Sequence, residues 1–287
     1  MTATAPAPAV VGVIGGGRMG AGIAQSYATA GSAVTVVESG AAAAAAALDR
    51  VATGLARAAE RGRLSDPAEA VLTRVSVVES VDALPAGADL VVEAVPEDPA
   101  LKARVLAAAE RAVDARTVLA SNTSSLSVTE LAAALTRPGR FLGMHFFNPV
   151  PASDLVEIVV APGTDPATVE AALEWTRCLG KKDVVVKDSP GFASSRLGVA
   201  LGLEAIRMVE EGVAAPEAID DAMHLGYKHP MGPLRLTDLV GLDVRLAIAE
   251  HLHRTLGERF APPALLREKV ARGELGRKSG QGFYTWQ

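Results

Sequence analysis

Three glycines at positions 15, 17 and 20 have the spacing of a loop that binds the pyrophosphate of a dinucleotide. They follow an apolar run and open a segment of helical character. In such loops the first glycine makes a tight turn, the second lets the pyrophosphate approach the backbone, and the third lets helix and strand pack closely. Gly15, Gly17 and Gly20, with Arg18 and Met19 between them, are therefore predicted to bind a dinucleotide. An ordinary glycine-rich turn is the alternative.

A carboxylate at the end of the next apolar run indicates which dinucleotide is bound. Glu38 lies 18 residues after Gly20, close to the spacing of the acid that hydrogen-bonds a ribose 2′-hydroxyl. No Arg or Lys directly follows it, and its negative charge would repel a 2′-phosphate. The pattern favours NAD over NADP. A solvated charge at a strand end is the alternative for Glu38.

Polar residues follow two later apolar runs, at the ends where α/β sheets bind ligands. Asn122, which we count with the dinucleotide site, and Ser124 follow one run. His145 ends the next run, before a loop with two prolines. It is a candidate general base, with a satisfied core histidine as the alternative. Glu157 could return to the imidazole and stabilise its protonated form, or be a surface charge at a strand end.

The elements that must position these residues alternate along the first two-thirds of the chain. Short β-branched runs and Ala-rich helical stretches predict an α/β domain with a mostly parallel, Rossmann-like sheet. The predicted strands are 10–14, 34–37, 75–78, 90–95, 118–121, 141–145, 156–160 and 184–187. The predicted helices are 18–30, 41–62, 99–113, 126–136 and 166–179.

Strand signals stop after Lys187, where Asp-Ser-Pro-Gly forms a breaker cluster. The remaining sequence predicts an all-helical domain with helices at 193–211, 216–224, 241–256 and 263–272. We therefore expect a disordered tail over 1–9, a dinucleotide-binding domain over 10–187 and a helical domain over 188–287. The apolar arc over 197–209 is very wide. It predicts burial on several sides, part of it in a subunit interface.

Composition excludes several classes of function. The formal net charge of −5 argues against a general nucleic-acid binder. The single cysteine, Cys178, excludes an internal disulfide framework and a multi-cysteine metal site, so we predict no metal and a cytoplasmic, reducing location. No apolar stretch is long enough to span a bilayer. Residues 1–9 lack the charged and apolar regions of a signal peptide.

Beyond these patterns, the sequence resembles the 3-hydroxyacyl-CoA dehydrogenase family, and most closely its short 3-hydroxybutyryl-CoA dehydrogenases. The similarity runs from about Val10 to Tyr284. It rests on the stretches VIGGGRMGAGIA, DLVVEAVPED, LASNTSSLSVTELA, GMHFFNPVP, VVVKDSPGF, LGYKHPMGPLRLTDLVGLD and LGRKSGQGFY. The resemblance implies a helical C-terminal domain that forms a homodimer and a cleft for acyl-CoA.

The resemblance also implies a role for individual residues. His145 matches the family's catalytic histidine, Glu157 the acid paired with it, and Ser124 a serine that hydrogen-bonds near the substrate oxygen. Positions that line the family's NAD site match Glu97, Lys102, Asn148 and Lys278. The implied reaction is NAD-dependent oxidation of an (S)-3-hydroxyacyl-CoA of short chain length, and its reverse.

Two features bear on the substrate. Ser195 stands where the family usually has an Asn that contacts the substrate, and a hydroxyl is shorter and has one donor fewer. Ser195 is therefore either a substrate contact of different reach or only a first-turn helix residue. Arg57, Arg61 and Arg63 lie near the end of the long second helix, which in the family lies by the coenzyme A site. They are predicted to bind its phosphates, with a solvated arginine face as the alternative.

Two other functions stay open at this stage. One is a dehydrogenase on the same scaffold that acts on a hydroxy acid without coenzyme A, such as a sugar acid or carnitine. The other is a non-catalytic protein that keeps the fold for binding or structure. Dependence on coenzyme A tests the first, and any turnover of NADH excludes the second.

The carboxylate at position 38 yields a direct prediction. Because Glu38 would repel a 2′-phosphate, kcat/KM should be higher with NADH than with NADPH. Steady-state kinetics with both cofactors at one thioester concentration measure the ratio. A higher kcat/KM with NADPH would contradict the role assigned to this residue.

Overall fold

The structure is a computed structural model that describes residues 6–286. The chain divides into two compact units, of which the first ends at Ser189 and the second begins at Pro190.

The start of the described chain is attached to the first unit. The Ser32 hydroxyl donates to the Pro8 carbonyl at 2.7 Å, and the Ala33 N–H donates to the Ala9 carbonyl at 2.9 Å. Residues 1–5 of the predicted disordered tail lie outside the described residues. Its last two residues are held against the sheet.

A single sheet organises the first unit. Its strands are β1 (Val10–Ile14), β2 (Ala33–Val37), β3 (Val75–Val78), β4 (Leu90–Glu93), β5 (Val118–Ser121), β6 (Phe141–Phe146), β7 (Leu155–Val160) and β8 (Lys182–Lys187). They lie in the order β3-β2-β1-β4-β5-β6-β7-β8. All neighbours are parallel except β6 and β7. The predicted α/β, mostly parallel fold is confirmed, and strand ends differ from the prediction by at most two residues.

Six helices accompany these strands in the described part of the first unit. They are α1 (Arg18–Thr29), α2 (Ala41–Glu60), α3 (Ala68–Leu72), α4 (Pro99–Ala112), α5 (Val128–Ala132) and α6 (Pro166–Cys178). Helices on both faces of a sheet require strands that are apolar at successive positions. The central strands β4 and β5 are apolar over their first three residues, and every residue in them is buried, including the polar Glu93 and Ser121 at their ends.

One helix is shorter than the sequence predicts. The helix predicted over 126–136 is the five-residue α5 in the structure. Its start is fixed because the Ser127 hydroxyl accepts the Glu130 N–H at 3.2 Å and so caps the helix. The N–H groups of Thr136 and Arg137 donate to the carboxylate of Glu110 on α4 and end the helical path. The short helix α3 was not predicted, since five residues are too few to show a period.

The second unit is helical. Its helices are α7 (Ser194–Glu210), α8 (Pro216–Asp221), α9 (Pro233–Val240), α10 (Leu242–Leu256) and α11 (Ala264–Ala271). A π-helical turn extends α8 over Ala222–Gly226. Helix α9 was missed by the sequence analysis. Its signals are a proline at the first position and Gly241, with a φ of +105°, directly after the last.

Asp238 on α9 holds the last part of the described chain. Its carboxylate is 1% exposed and accepts the N–H groups of Phe283 and Tyr284, each at 2.9 Å. The indole N–H of Trp286 donates to the same carboxylate at 2.8 Å. Three donors from four consecutive residues thus satisfy one buried charge.

Helix α7 has one buried face within the described chain. Val199, Leu203 and Ile206 are fully buried and form one face of the helix. Leu197 is 70% exposed in the described chain. The wide apolar arc therefore combines a buried face with an exposed apolar side chain.

No helix within 6–286 has the length and apolar character needed to cross a membrane. No group of three or more His, Cys, Asp or Glu side chains in that range could hold a metal ion.

Candidate active site

The candidate residues of the first unit gather at one edge of its sheet. Strand β1 pairs with β2 on one side and β4 on the other, so the strand order reverses there. In open α/β sheets, ligands bind outside the carboxyl ends of the strands at this reversal. The glycine loop follows β1, and polar loops follow β4, β5 and β6.

The glycine loop has the shape that a pyrophosphate requires. Gly15 has a φ of +95°, a conformation that favours glycine. A Cβ at Gly20 would lie 1.7 Å from the Gly15 carbonyl oxygen, whereas a Cβ at Gly17 would meet no atom within 4 Å. Gly20 is therefore required for packing, and Gly17 leaves open space beside the start of α1. Free N–H groups at that helix start suit an anionic diphosphate.

Glu38 lies directly after β2 and reaches this loop. Its Oε1 accepts the Gly16 N–H at 2.6 Å, and its Oε2 accepts the Ser39 N–H at 3.2 Å. Arg50 on α2 donates to the Gly16 carbonyl at 3.1 Å. The carboxylate thus lies beside the glycine loop, where a ribose next to the pyrophosphate would lie. The residues present fit NAD.

His145 and Glu157 are brought together by strand pairing. They are opposite each other in the antiparallel register of β6 and β7. His145 Nδ1 lies 2.8 Å from Glu157 Oε2, and the two residues are 6% and 1% exposed. The imidazole also lies against the Phe147 ring, with ring centroids 4.4 Å apart. This buried contact fixes the orientation of the ring.

A buried ion pair lies beneath the loop that follows β4. Lys102 on α4 and Glu93 at the end of β4 are 1% and 0% exposed, and Lys102 Nζ lies 2.6 Å from Glu93 Oε1. The ammonium also donates to the Val95 carbonyl at 3.1 Å. The Ser121 hydroxyl, at the end of β5, donates to Glu93 Oε2 at 2.6 Å. Lys102, predicted to line the NAD site, has its ammonium inside the protein.

Glu97 connects this pair to the serine-rich loop. Its Oε2 lies 3.3 Å from Lys102 Nζ, and its Oε1 accepts the Thr123 hydroxyl at 2.5 Å and the Ser124 N–H at 2.9 Å. The Ser125 hydroxyl lies 3.1 Å from the same oxygen. Burial alone would raise the pKa of Glu97, but the Lys102 charge and the hydrogen bond from Thr123 outweigh it and lower the pKa. Glu97 is therefore an anion that holds the loop containing Ser124.

The two candidate asparagines have different surroundings. Asn122 Oδ1 accepts the Phe146 N–H at 2.9 Å, so it joins the ends of β5 and β6. Asn148 is exposed and lines a cavity of about 370 Å³ together with Arg18, Arg50 and other residues.

The three predicted arginines line one cavity of the first unit. Arg57, Arg61 and Arg63 surround a space of about 470 Å³ that Lys181 also lines. The Lys181 ammonium donates to the carbonyls of Val150 at 2.6 Å and Ser153 at 2.5 Å. No carboxylate is among the described residues that line this space. The cavity suits an anionic ligand with several phosphates.

Two candidate residues belong to the second unit. Ser195 is half-buried in the first turn of α7. Lys278 lies in the short turn Arg277–Ser279, and its Nζ lies 2.6 Å from Asp243 Oδ2. Their predicted roles toward substrate and NAD stay predictions.

Comparison with known proteins covers both units. The family model for the 3-hydroxyacyl-CoA dehydrogenase NAD-binding domain matches residues 10–189, and the model for the C-terminal domain of the same family matches residues 191–286. The chain belongs to the 3-hydroxyacyl-CoA dehydrogenase family. It is an NAD-dependent oxidoreductase.

Individual relatives of this dehydrogenase match over nearly the whole chain. A probable 3-hydroxybutyryl-CoA dehydrogenase of Bacillus subtilis is 44% identical, with 96% of each chain covered. A 3-hydroxybutyryl-CoA dehydrogenase of Mycobacterium tuberculosis is 44% identical, covering 96% of this chain and 98% of the relative. The crystal structure of (S)-3-hydroxybutyryl-CoA dehydrogenase from Ralstonia eutropha has a TM-score of 0.93 and 41% identity, with 98% of this chain and 100% of that chain covered.

Two residues of this dehydrogenase escaped the sequence analysis. The sequence does indicate a role for Glu93, because a carboxylate within the apolar run DLVVEAV must have a buried partner. Nothing in the sequence indicates a role for Lys181, since it lies in a Gly-Lys-Lys-Asp stretch that is typical of an exposed connection. Only the folded chain shows that its side chain turns inward to the carbonyls.

The buried ion pair predicts a large cost for removing one charge. Lys102→Met leaves Glu93 as an uncompensated buried carboxylate, so the free energy of unfolding should fall by about 3–5 kcal/mol. Urea unfolding measures the change. The exposed Lys182→Met is the matched control and should stay within about 0.5 kcal/mol of the parent protein. Equal small effects of both changes would contradict the buried pair.

Proposed function

We propose that this dehydrogenase oxidises short-chain (S)-3-hydroxyacyl-CoA, with 3-hydroxybutyryl-CoA as the reference substrate, to 3-oxoacyl-CoA, and catalyses the reverse reduction. The observation that carries the proposal is the 2.8 Å contact between His145 Nδ1 and Glu157 Oε2. It lies at the sheet edge that also holds the glycine loop. The names of the relatives at 44% identity support the same substrate class.

His145 acts as the acid and base in this proposal. In oxidation its Nε2 takes the hydroxyl proton as the C3–H bond breaks and the C3 carbonyl forms. Glu157, held at Nδ1, offsets the imidazolium charge and keeps the ring in one orientation. In reduction the same nitrogen returns the proton to the developing alkoxide. General acid–base catalysis of this kind contributes about 10²–10⁴-fold.

Ser124 is assigned to the substrate oxygen, and Glu97 and Lys102 to positioning it. The Glu97 carboxylate accepts the Ser124 N–H at 2.9 Å, while the buried Lys102 holds Glu97 from beneath. A serine on a loop fixed in this way can keep the oxygen in line with His145. Orientation of this kind supplies a large part of the rate of an enzyme.

The residues that would hold NAD are those of the sheet edge. Gly15, Gly17 and Gly20, with the start of α1, would bind the pyrophosphate, and Glu38 would bind the adenosine ribose. Further contacts are assigned to Arg18, Met19, Glu97, Asn122, Asn148 and Lys278. When bound, the nicotinamide accepts or donates the hydride.

The arginine cavity supports coenzyme A as the carrier. Arg57, Arg61 and Arg63 would bind the phosphates of the carrier, and the Lys181 ammonium adds a fourth positive charge. Phosphate groups bind best to such clusters of cations. Ser195 is assigned to the acyl part of the substrate.

The second unit is proposed to form a homodimer. Three of its large apolar side chains, Leu197, Leu225 and Tyr227, are 60–76% exposed. Apolar side chains exposed to this degree support an interface between copies. We further infer a cytoplasmic location, because the chain has a single cysteine, as is usual in a reducing compartment.

The assay for this function is NADH oxidation with acetoacetyl-CoA. We expect turnover with the thioester, and kcat/KM for free acetoacetate lower by at least about 10²-fold, because the carrier supplies binding energy to the reacting centre. Equal rates with the thioester and the free acid would exclude a coenzyme A substrate. Absence of turnover with either would reject the proposed reaction.

The role of His145 is tested by His145→Gln. This change should lower kcat about 10²–10⁴-fold while KM for acetoacetyl-CoA changes by only a few-fold, because the amide cannot exchange a proton near neutral pH. His253→Gln, at a partly exposed histidine paired with Glu258, is the control and should leave kcat unchanged. An unchanged kcat in His145→Gln would overturn the assignment.

A further inference from the structure

A buried lysine at the start of β8 holds the turn between β6 and β7. Lys181 directly precedes β8 and is 8% exposed. Its ammonium donates to the carbonyls of Val150 at 2.6 Å and Ser153 at 2.5 Å, at the two ends of that turn. Hydrogen bonds from a charged donor are roughly twice as strong as neutral ones. The lysine therefore fixes the shape of the turn.

This turn connects the strands of the proposed acid–base pair. It begins shortly after His145 on β6 and ends shortly before Glu157 on β7. Val150 is 2% exposed and packs tightly against α1, because a Cβ at Gly22 would lie 2.9 Å from the Val150 Cβ. Close-packed interiors transmit strain from one element to the next. A turn held in one shape thus helps to keep the imidazole and the carboxylate in one arrangement.

The lysine and the turn also form part of the wall of the arginine cavity. Lys181, Pro149, Pro151 and Ala152 all line this space. An ammonium has three N–H donors, and the two carbonyls use two of them, so the third is left for a ligand. Burial lowers the pKa of Lys181, and the Asp154 charge offsets only part of this effect. An anion in the cavity would stabilise the ammonium further.

We propose that Lys181 is a positioning residue through which the phosphates of the carrier act on the reaction. This inference rests on the proposed function and deepens it. A phosphate in the arginine cavity accepts the third donor of Lys181, and the ammonium is then held between the phosphate and the two turn carbonyls. The turn in its fixed shape keeps His145 and Glu157 in place. Binding energy from a remote part of the substrate is in this way used at the reacting centre.

The first experiment separates the phosphates from the reacting group. Acetoacetyl-pantetheine has the thioester of acetoacetyl-CoA but no phosphate. With saturating NADH, its kcat should be about 10-fold lower than that of acetoacetyl-CoA, the effect of one hydrogen bond to a charged group. Adenosine 3′,5′-bisphosphate, added as a separate molecule, should restore a large part of this kcat. If the bisphosphate binds, as calorimetry measures, but does not raise kcat, the proposal is overturned and the proposed function still stands.

Variants show whether the activation passes through the lysine. Lys181→Met should lower kcat for acetoacetyl-CoA about 10-fold and abolish the activation, whereas the cationic Lys181→Arg should retain part of both. Arg57→Gln should raise the bisphosphate concentration needed for activation but reach the same maximal rate. Lys182→Met, at an exposed lysine, is the matched control and should behave as the parent protein. Activation that persists in Lys181→Met would overturn the proposal.

Hydrogen–deuterium exchange detects the same effect without turnover. The N–H groups of Ala152 and Ser153 both donate to the Pro149 carbonyl at 3.0 Å, so their exchange reports the opening of the turn. The bisphosphate should slow exchange of both amides about 10-fold in the parent protein and leave it unchanged in Lys181→Met. Slower exchange without turnover of any thioester would support the link between cavity and turn and reject the proposed reaction. Unchanged exchange in the parent protein would contradict the link. If Lys181→Met does not fold, the parent protein and Lys181→Arg decide the question.

Discussion

The antiparallel register between β6 and β7 is the constraint on which the candidate chemistry depends. It places His145 directly opposite Glu157. Because side chains alternate between the two faces of a sheet, a slip of one residue would turn Glu157 to the other face. Val156 and Ile158, which flank Glu157, are both fully buried. A slip would therefore place an acid among the apolar side chains of the other face, and core packing keeps His145 and Glu157 opposite each other.

Buried charge plays a comparable role between β4 and the serine-rich loop. Glu93, Lys102 and Glu97 form a chain of ion pairs that leads from a fully buried strand end to exposed backbone. These ion pairs add little to the stability of the fold, because the free energy needed to remove two charges from water is about as large as the free energy of their attraction. Its geometry is nevertheless restrictive, because every charge needs its partner at hydrogen-bond distance. This restriction is what a loop with three consecutive hydroxyl residues, Thr123, Ser124 and Ser125, needs to hold one shape.

Much of the fold followed from local patterns in the sequence. The strands were predicted within two residues because central strands of a parallel sheet have runs of successive apolar residues, a signal that depends on no distant contact. Helix α9 is too short for a period to show, so its local signals are only the proline that begins it and the glycine that follows it. The shortening of α5 could not be predicted from local patterns, because it depends on Glu110, which comes from another helix. Local sequence does not include such contacts.

The candidate site could likewise be predicted only where its residues lie in local motifs. The glycine spacing, Glu38 and the motif around His145 are local, and the structure places them at one edge of the sheet. The inward direction of Lys102 and Lys181 was not predictable, because lysine is usually exposed and its partners here lie on other elements.

The Asp238 carboxylate has a consequence for how the chain is synthesised. Its nearest backbone donor, Phe283, is 45 residues further along the chain. While the ribosome adds those residues, the carboxylate has no such partners and stays hydrated, so α9 cannot bury it. The second unit therefore completes its fold only after residue 286 has been added, whereas all residues of the first unit are available well before.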